Sequence, residues 1–293
     1  MTNFEKLIEL IANNTKGGYA CAEMTDDGYV EHRFRRGHGG HNVYSIGKCV
    51  TGCAVGILEA EGKLRDTDTV FSHISELFPK DYDPKWETVT LRDVMFHRTG
   101  VPQEANIDID SEKEDFWEQG RDDFLAYFLG QPIVYEPGNG PFIYCDTNYY
   151  LIGRIVEKIT GKPCGIFLQE RMFNHLQWRG NAWGTCPQGH TLCGTGLFVT
   201  PLDLCRFGLM LSHGGVYNGK RILTPEWIEK ARGEKGKLGY GFTNSADGRW
   251  FFAGGMLGQE VYIFPERHTS LVVMGHFMPN DEIKKEIVPL YLD

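Results

Sequence analysis

Between residues 238 and 276, four short segments rich in aromatic and β-branched residues follow one another with only turn residues between them. They are Leu238–Thr243, Arg249–Ala253, Gln259–Phe264 and Ser270–His276. Strands that succeed each other without intervening helices pair antiparallel, because a short turn reverses the chain but cannot carry it across a sheet. Two further strand-like segments, Tyr19–Met24 and Tyr29–Phe34, flank the turn Thr25-Asp26-Asp27-Gly28. The residues from about 66 to 190 read instead as helices joined by long irregular connections. Thr90-Leu91-Arg92-Asp93 opens one helix, Asp122–Leu129 forms another, and Thr147–Ile159 forms a third, closed by Gly161 and followed by Pro163. Thr200-Pro201 and Thr224-Pro225 are cap-then-proline helix starts. Phe4, Leu7, Ile8 and Ile11 recur at helical spacing, and a last helix fits Glu282–Pro289. The expected fold is α/β of the α+β type. An antiparallel sheet flanked by helices is built from residues 1–65 and 191–293, a mostly helical lobe of residues 66–190 is inserted, and the active site lies between them.

Within that frame, Ser45 and Lys48 stand in Tyr-Ser-Ile-Gly-Lys just before the helix-like run Cys49–Ala60. Residues three apart share a helix face. A serine hydroxyl becomes a competent nucleophile when a neighbouring group takes its proton. The pair alone is weak: Ser-x-x-Lys arises by chance about once in a chain this long, and a serine at a helix start is commonly a cap. Here, no other serine has lysine three places on.

Composition excludes several other classes. With 30 basic and 39 acidic residues the net charge is −9, which argues against nucleic acid as a partner. Glycine is abundant at 36 residues, implying many tight turns. The eight cysteines show no CxxC pair and read as reduced, buried thiols. His38 and His41, in Gly-His-Gly-Gly-His, lack the third partner that a zinc site at this spacing requires and read as a loop. No stretch has the length of a membrane span and the N-terminus has no signal-peptide pattern, so a cytoplasmic location is expected. No Gly-x-Ser-x-Gly elbow is present, and the strands do not alternate with helices, which argues against a lipase-type α/β-hydrolase.

Five stretches together carry a resemblance. They are Tyr-Ser-Ile-Gly-Lys at 44–48, Leu-Arg-Asp-Val-Met-Phe-His-Arg-Thr-Gly-Val-Pro at 91–102, and the run 136–153 containing Tyr144-Cys145-Asp146. The last two are 195–208, beginning Thr-Gly-Leu-Phe-Val-Thr-Pro, and 253–266, beginning Ala-Gly-Gly-Met. In this order they resemble the serine β-lactamase and penicillin-binding D,D-peptidase superfamily, in its class C-like branch with related esterases and amide hydrolases. The resemblance implies Ser45 as nucleophile, Lys48 as its activating partner and Tyr144 as the tyrosine of the Tyr-x-Asn motif, which moves the proton to the leaving group. It implies an oxyanion hole from the Ser45 N–H and a backbone N–H near Met256, with Asp146, Ala253, Gly254 and Gly255 lining the substrate side. Such oxyanion donors are worth ~3 kcal/mol each. His97 and Gly100 fall in the family's His-x-x-Gly stretch, where a structural role is expected. Neither a cofactor nor a metal is implied. The expected partner is a small molecule or short peptide, and the sequence fixes no oligomeric state.

Two departures from the family pattern bear on function. Asp146 replaces the asparagine of Tyr-x-Asn. A carboxylate ~4 Å from Lys48 favours the ammonium by ~4 kcal/mol at an effective dielectric near 20, or ~3 pKa units. So either Asp146 is turned away or protonated, or Tyr144 is the base beside a permanently charged lysine. Such an aspartate biases the site toward neutral or cationic substrates. Ala253 stands where the family usually carries lysine or histidine, which removes a cationic handle for a substrate carboxylate. Lys235 and Lys237 lie upstream but align with an ordinary strand approach. The expectation is a serine hydrolase cleaving an ester, amide or peptide through a Ser45 acyl-enzyme, with weak or no β-lactamase activity. The alternative is a non-catalytic descendant that binds a small acyl or peptide ligand. Residues 103–135 are a candidate lid, with the acidic stretch Asp108–Glu118 read as a solvated loop.

Overall fold

The computed structural model describes residues 1–36, 39–107, 123–276 and 281–292. His38 and the acidic stretch Asp108–Glu118 therefore lie outside the described residues. In chain order the elements are α1 (Asn3–Asn14), β1 (Gly18–Thr25), β2 (Gly28–Arg33), β3 (His41–Asn42), α2 (Ile46–Ala60), α3 (Val70–Ile74), α4 (Leu91–Met95) and α5 (Phe124–Leu129). They continue with α6 (Asp146–Thr160), α7 (Cys164–Leu168), β4 (Ala182–Trp183), β5 (Leu197–Val199), α8 (Pro201–Ser212), β6 (Val216–Tyr217), β7 (Lys220–Arg221) and α9 (Pro225–Arg232). The last are β8 (Thr243–Asn244), β9 (Phe251–Gly255), β10 (Gln259–Phe264), β11 (Thr269–Gly275), α10 (Asp281–Ile287) and α11 (Pro289–Leu292).

Among the described residues the main sheet has six strands in the order β2-β1-β11-β10-β9-β8, and each pairing is antiparallel. The consecutive C-terminal strands thus form the meander expected of them, and the N-terminal hairpin adds to its edge. Strands β10 and β11 are buried along their whole length, so period-two alternation sends side chains into two different cores. Tyr262, Phe264, Leu271 and Val273 meet Leu7 and Ile11 of α1 and Ile287 of α10 on one face. Val261, Ile263, Val272 and Met274 face the main core on the other, against α8. A Cβ at Gly208 of α8 would overlap Ser270, so that helix lies flush on the sheet because the residue is glycine.

The main core is continuous from the sheet through Val50 of α2 into the 66–190 segment, including Trp86, Phe128, Leu151 and Phe173. Both cap-then-proline starts form as expected: Thr200 accepts from Asp203 N–H and Thr224 from Trp227 N–H, each at 3.1 Å. Thr90 forms a capping box with Asp93.

One strand is shorter than its sequence suggests. Within Leu238–Thr243 only an isolated bridge between the two end residues and the short β8 are extended. Gly241 takes a positive φ of 83°, and its backbone packs against Cys49 of α2, which turns the chain out of strand geometry. His41 belongs to β3 and stacks on Tyr19 at 4.8 Å between ring centroids, which accounts for that residue without a metal. All eight cysteines are buried free thiols. Among the described residues no helix is long and apolar enough to cross a membrane.

Candidate active site

Ser45 occupies the position before the first turn of α2 with helical φ and ψ, and its side chain makes no capping bond. The capping explanation for this serine therefore fails, and its hydroxyl is directed elsewhere. Tyr44, immediately before it, has a positive φ of 46°. That is an uncommon conformation for a bulky residue, and such strain collects at functional turns. Its N–H donates to Asn42 Oδ1 at 2.9 Å.

The Ser45 Oγ shares a hydrogen bond with the Tyr144 hydroxyl at 2.6 Å and accepts from Lys48 Nζ at 3.1 Å. Lys48 is 1% exposed. It spends its other donors on the Gly194 carbonyl at 2.8 Å and on Asp146 Oδ1. All three protons of the ammonium are thus matched by acceptors. Burial pulls the Lys48 pKa down, but the Asp146 carboxylate and the Tyr144 oxygen outweigh it, and the net shift is upward. Of the alternatives raised by the sequence, the structure takes one: Asp146 is turned toward Lys48 and holds it charged. The Lys48 nitrogen also lies 4.8 Å from the Tyr144 ring centroid.

Three segments hold these groups in place. Asp146 opens α6, and its N–H donates to Asn106 Oδ1 at 2.7 Å. Tyr144 lies against His97, with ring centroids 4.6 Å apart and planes at 26°. His97 is buried and has a positive φ of 56°. Its Nδ1 accepts the Cys145 N–H at 3.1 Å, which fixes the chain between Tyr144 and Asp146. Burial, reinforced by the nearby Lys48 charge, pushes the His97 imidazole down to about 3. His97 is thus a neutral prop beneath the tyrosine, the structural role expected of it. Gly194 supplies a carbonyl to Lys48, and a Cβ there would come 2.6 Å from the Asp146 carbonyl oxygen. Backbone groups carry no side-chain signature, so Gly194 was not foreseen, and Asn106 lies outside any of the five motifs.

On the sheet side, Gly255 ends β9, and a Cβ at that position would overlap the Val43 carbonyl, two residues before Ser45. The end of β9 therefore abuts the serine segment, with Gly254 half-buried and Met256 exposed beyond it. Ala253 differs from its expected place. Its side chain is wholly buried in the main core, paired across the sheet with Val261, so its methyl group lines no cleft. Lys237 pairs with Glu234 and, together with Arg92, Arg98 and Phe142, lines a cavity of about 500 Å³. Neither Ser45 nor Lys48 lines that cavity, although the Phe142 ring stands 6.4 Å from that of Tyr144.

A family model described as Beta-lactamase matches residues 36–290. The chain belongs to the beta-lactamase family. That makes it a serine hydrolase by family, in keeping with the names of its relatives. The 6-aminohexanoate-dimer hydrolase of Paenarthrobacter ureafaciens is 26% identical over 272 residues, covering 82% of this chain and 67% of that protein. Matches to further curated relatives cover 32% or less of those proteins, so the chain aligns with about a third of their length or less. Among solved structures, a penicillin-binding protein from Bacillus halodurans superposes with a TM-score of 0.74 at 17% identity, over 97% of this chain and 100% of that one. A family VIII carboxylesterase gives 0.77 at 16% identity, over 99% and 97%. At these identities the structural likeness establishes the β-lactamase/transpeptidase-like fold.

Proposed function

We propose that this protein hydrolyses an ester or amide of a small molecule or short peptide through an acyl-enzyme on Ser45. The observation that carries the reading is the contact of one hydroxyl, Ser45 Oγ, with both Tyr144 OH and Lys48 Nζ. In the first step Oγ bonds to the carbonyl carbon, the carbonyl π pair moves to its oxygen, and the serine proton passes to the Tyr144 oxygen in a relay that hands the phenol's own proton to the leaving atom. Collapse of that adduct expels the alcohol or amine, which takes the proton from Tyr144. Water then repeats the sequence to release the acid. Lys48 stays charged throughout and supplies positive potential, because the Asp146 carboxylate keeps it protonated. The backbone N–H groups of Ser45 and Met256 receive the developing oxyanion.

Two features narrow the substrate. Asp146 balances Lys48, so the pair offers a substrate carboxylate no net positive charge. The buried Ala253 contributes no cation either. Both favour neutral or cationic substrates and disfavour β-lactams, which carry a carboxylate. The named activity of the Paenarthrobacter relative, on a 6-aminohexanoate dimer, adds weight to the amide class. The test is a panel of short-chain p-nitrophenyl esters, small linear amides, D-amino-acid amides and nitrocefin, with Ser45→Ala as control and intact mass after fluorophosphonate treatment. Turnover that depends on Ser45, with a single adduct on it, is expected. Absence of both turnover and adduct would leave a ligand-binding protein.

A further inference from the structure

Far from Ser45 the fold brings together a second group of side chains that the proposed reaction does not use. Asp26 sits in the β1–β2 turn, His213 at the C-terminal end of α8, and His268 just before β11. His213 Nε2 is 2.7 Å from Asp26 Oδ1, and His268 Nδ1 is 3.1 Å from Asp26 Oδ2. The two imidazole centroids are 4.2 Å apart, and the three ligand atoms all lie within 4.8 Å of one another. His268 adopts a left-handed φ of 46°, a conformation that costs a non-glycine residue energy and here directs its ring onto Asp26. The side chains remain open to solvent, at 27% exposure for His213, 51% for His268 and 58% for Asp26.

The geometry points to a zinc-binding site formed by Asp26, His213 and His268, with solvent completing the coordination. Two imidazoles and one carboxylate are a donor set suited to Zn²⁺, which takes nitrogen at ~2.0–2.1 Å and carboxylate oxygen at ~2.0–2.2 Å. Tetrahedral ligands at those lengths stand ~3.4 Å apart, and the nitrogen–oxygen distances of 2.7 and 3.1 Å are somewhat shorter. Binding replaces two hydrogen bonds by three coordinate bonds: the proton of each ring moves to its other nitrogen, the two freed lone pairs meet the metal, and Asp26 gives it one carboxylate oxygen. The site lies at the His268 end of β11, whereas Gly275, at the opposite end, accepts from Gln259, the cross-strand partner of Gly255. About six residue steps separate the two ends, or ~20 Å. Zinc there touches no reacting atom. It ties a turn, a helix end and a strand start from three remote parts of the chain, and it stabilises the folded state by mass action.

The experiment uses the full chain, stripped with a chelator and then titrated with ZnCl₂ by calorimetry, with thermal unfolding followed in parallel. Cobalt absorption spectra report the ligand field, and MgCl₂ serves as a control. One Zn²⁺ per chain is expected, with a saturable rise in Tm that Mg²⁺ does not reproduce. The double variant His213→Gln/His268→Gln should weaken binding by more than the roughly 10–100-fold that outer-sphere changes cost, and should lose the Tm rise. Asp26→Asn, which preserves shape, gives the same comparison if the double variant folds poorly. No saturable binding below millimolar zinc, or equal binding by wild type and variants, would overturn the assignment.

Discussion

Replacing Asp146 with asparagine removes one negative charge and almost no volume. In the native protein that carboxylate accepts from a lysine that is 1% exposed. At ~4 Å and an effective dielectric near 20, the lost attraction is ~4 kcal/mol, and its loss lowers the Lys48 pKa because the Asp146 carboxylate is one of the groups that raise it. Lys48 keeps Gly194 O and Ser45 Oγ as acceptors, and the amide oxygen of the variant offers a neutral acceptor in place of the carboxylate. Removing one partner of a buried pair typically costs 3–5 kcal/mol, so Asp146→Asn should unfold at a clearly lower temperature near neutral pH. The sign follows from linkage. The folded-state pKa of Lys48 is raised in the wild type, so its contribution to stability is fully present below the unfolded pKa and is lost as pH rises through the folded value. Where the substitution carries the folded pKa below the unfolded one, the sign reverses: burial then penalises the charge at low pH, and stability rises as pH climbs through the folded value. The kinetic consequence is equally specific. Wild-type kcat/KM on a neutral ester should show no limb near neutral pH from Lys48, whereas the variant should gain one and should tolerate anionic acyl groups better. The assay is kcat/KM from pH 5 to 10 on matched neutral and carboxylate-bearing p-nitrophenyl esters, alongside urea unfolding. An unchanged profile, unchanged preference and unchanged stability would refute the claim that Asp146 sets the charge of the site.

Three further outcomes follow from the same structure. His97 is neutral when folded, with its pKa pushed down to about 3 from 6.5. The unfolded chain therefore binds a proton below pH 6.5 that the folded chain refuses, and stability should fall by about 2 kcal/mol by pH 5 from this group alone. His97→Asn, a residue that tolerates the left-handed backbone, should flatten that acid limb in urea titrations; an unaltered slope would reject the assignment. Gly153→Ala places a methyl group onto Cys193 Sγ between α6 and the 193–197 segment. It should cost roughly 1–3 kcal/mol by overpacking, read as a lower midpoint in urea at constant m. Nitrocefin should turn over far more slowly than the best neutral ester or amide, and a rate typical of a dedicated β-lactamase would contradict the reading of Asp146 and Ala253.

Particular residues show why parts of this molecule were legible in the sequence. Val261 and Ile263 face one core and Tyr262 and Phe264 the other, so the strand pattern reads cleanly even where both faces are buried. Ser45 and Lys48 lie three apart on one helix, and local spacing suffices to bring them into contact. Tyr144 and Asp146 were reached through a motif, and the direction in which Asp146 points was undetermined, because it depends on Asn106 and Gly194 from distant segments. Leu238–Thr243 departs from the strand its composition suggests because Gly241 overrides the propensity of its neighbours. Ala253 was expected at the substrate side, and strand alternation sends its methyl group inward instead. Asp26, His213 and His268 share no local pattern, and only the tertiary fold makes them neighbours.

The position of β1 governs the order in which the molecule can be made. Its partner on one side is β2, a few residues later, but on the other it is β11, beginning at Thr269. Ribosomes add roughly 5–20 residues per second, so about 10–50 s pass between synthesis of the first strand and arrival of the last. Throughout that interval an apolar edge waits unpaired, and Leu7, Ile11 and Cys21 have no Leu271 or Val273 to cover them. Ser45 and Lys48 emerge early, yet the sheet beside them is finished only when the final strands dock. A nascent chain stalled before residue 269 should thus bind chaperones and label with no serine-directed probe.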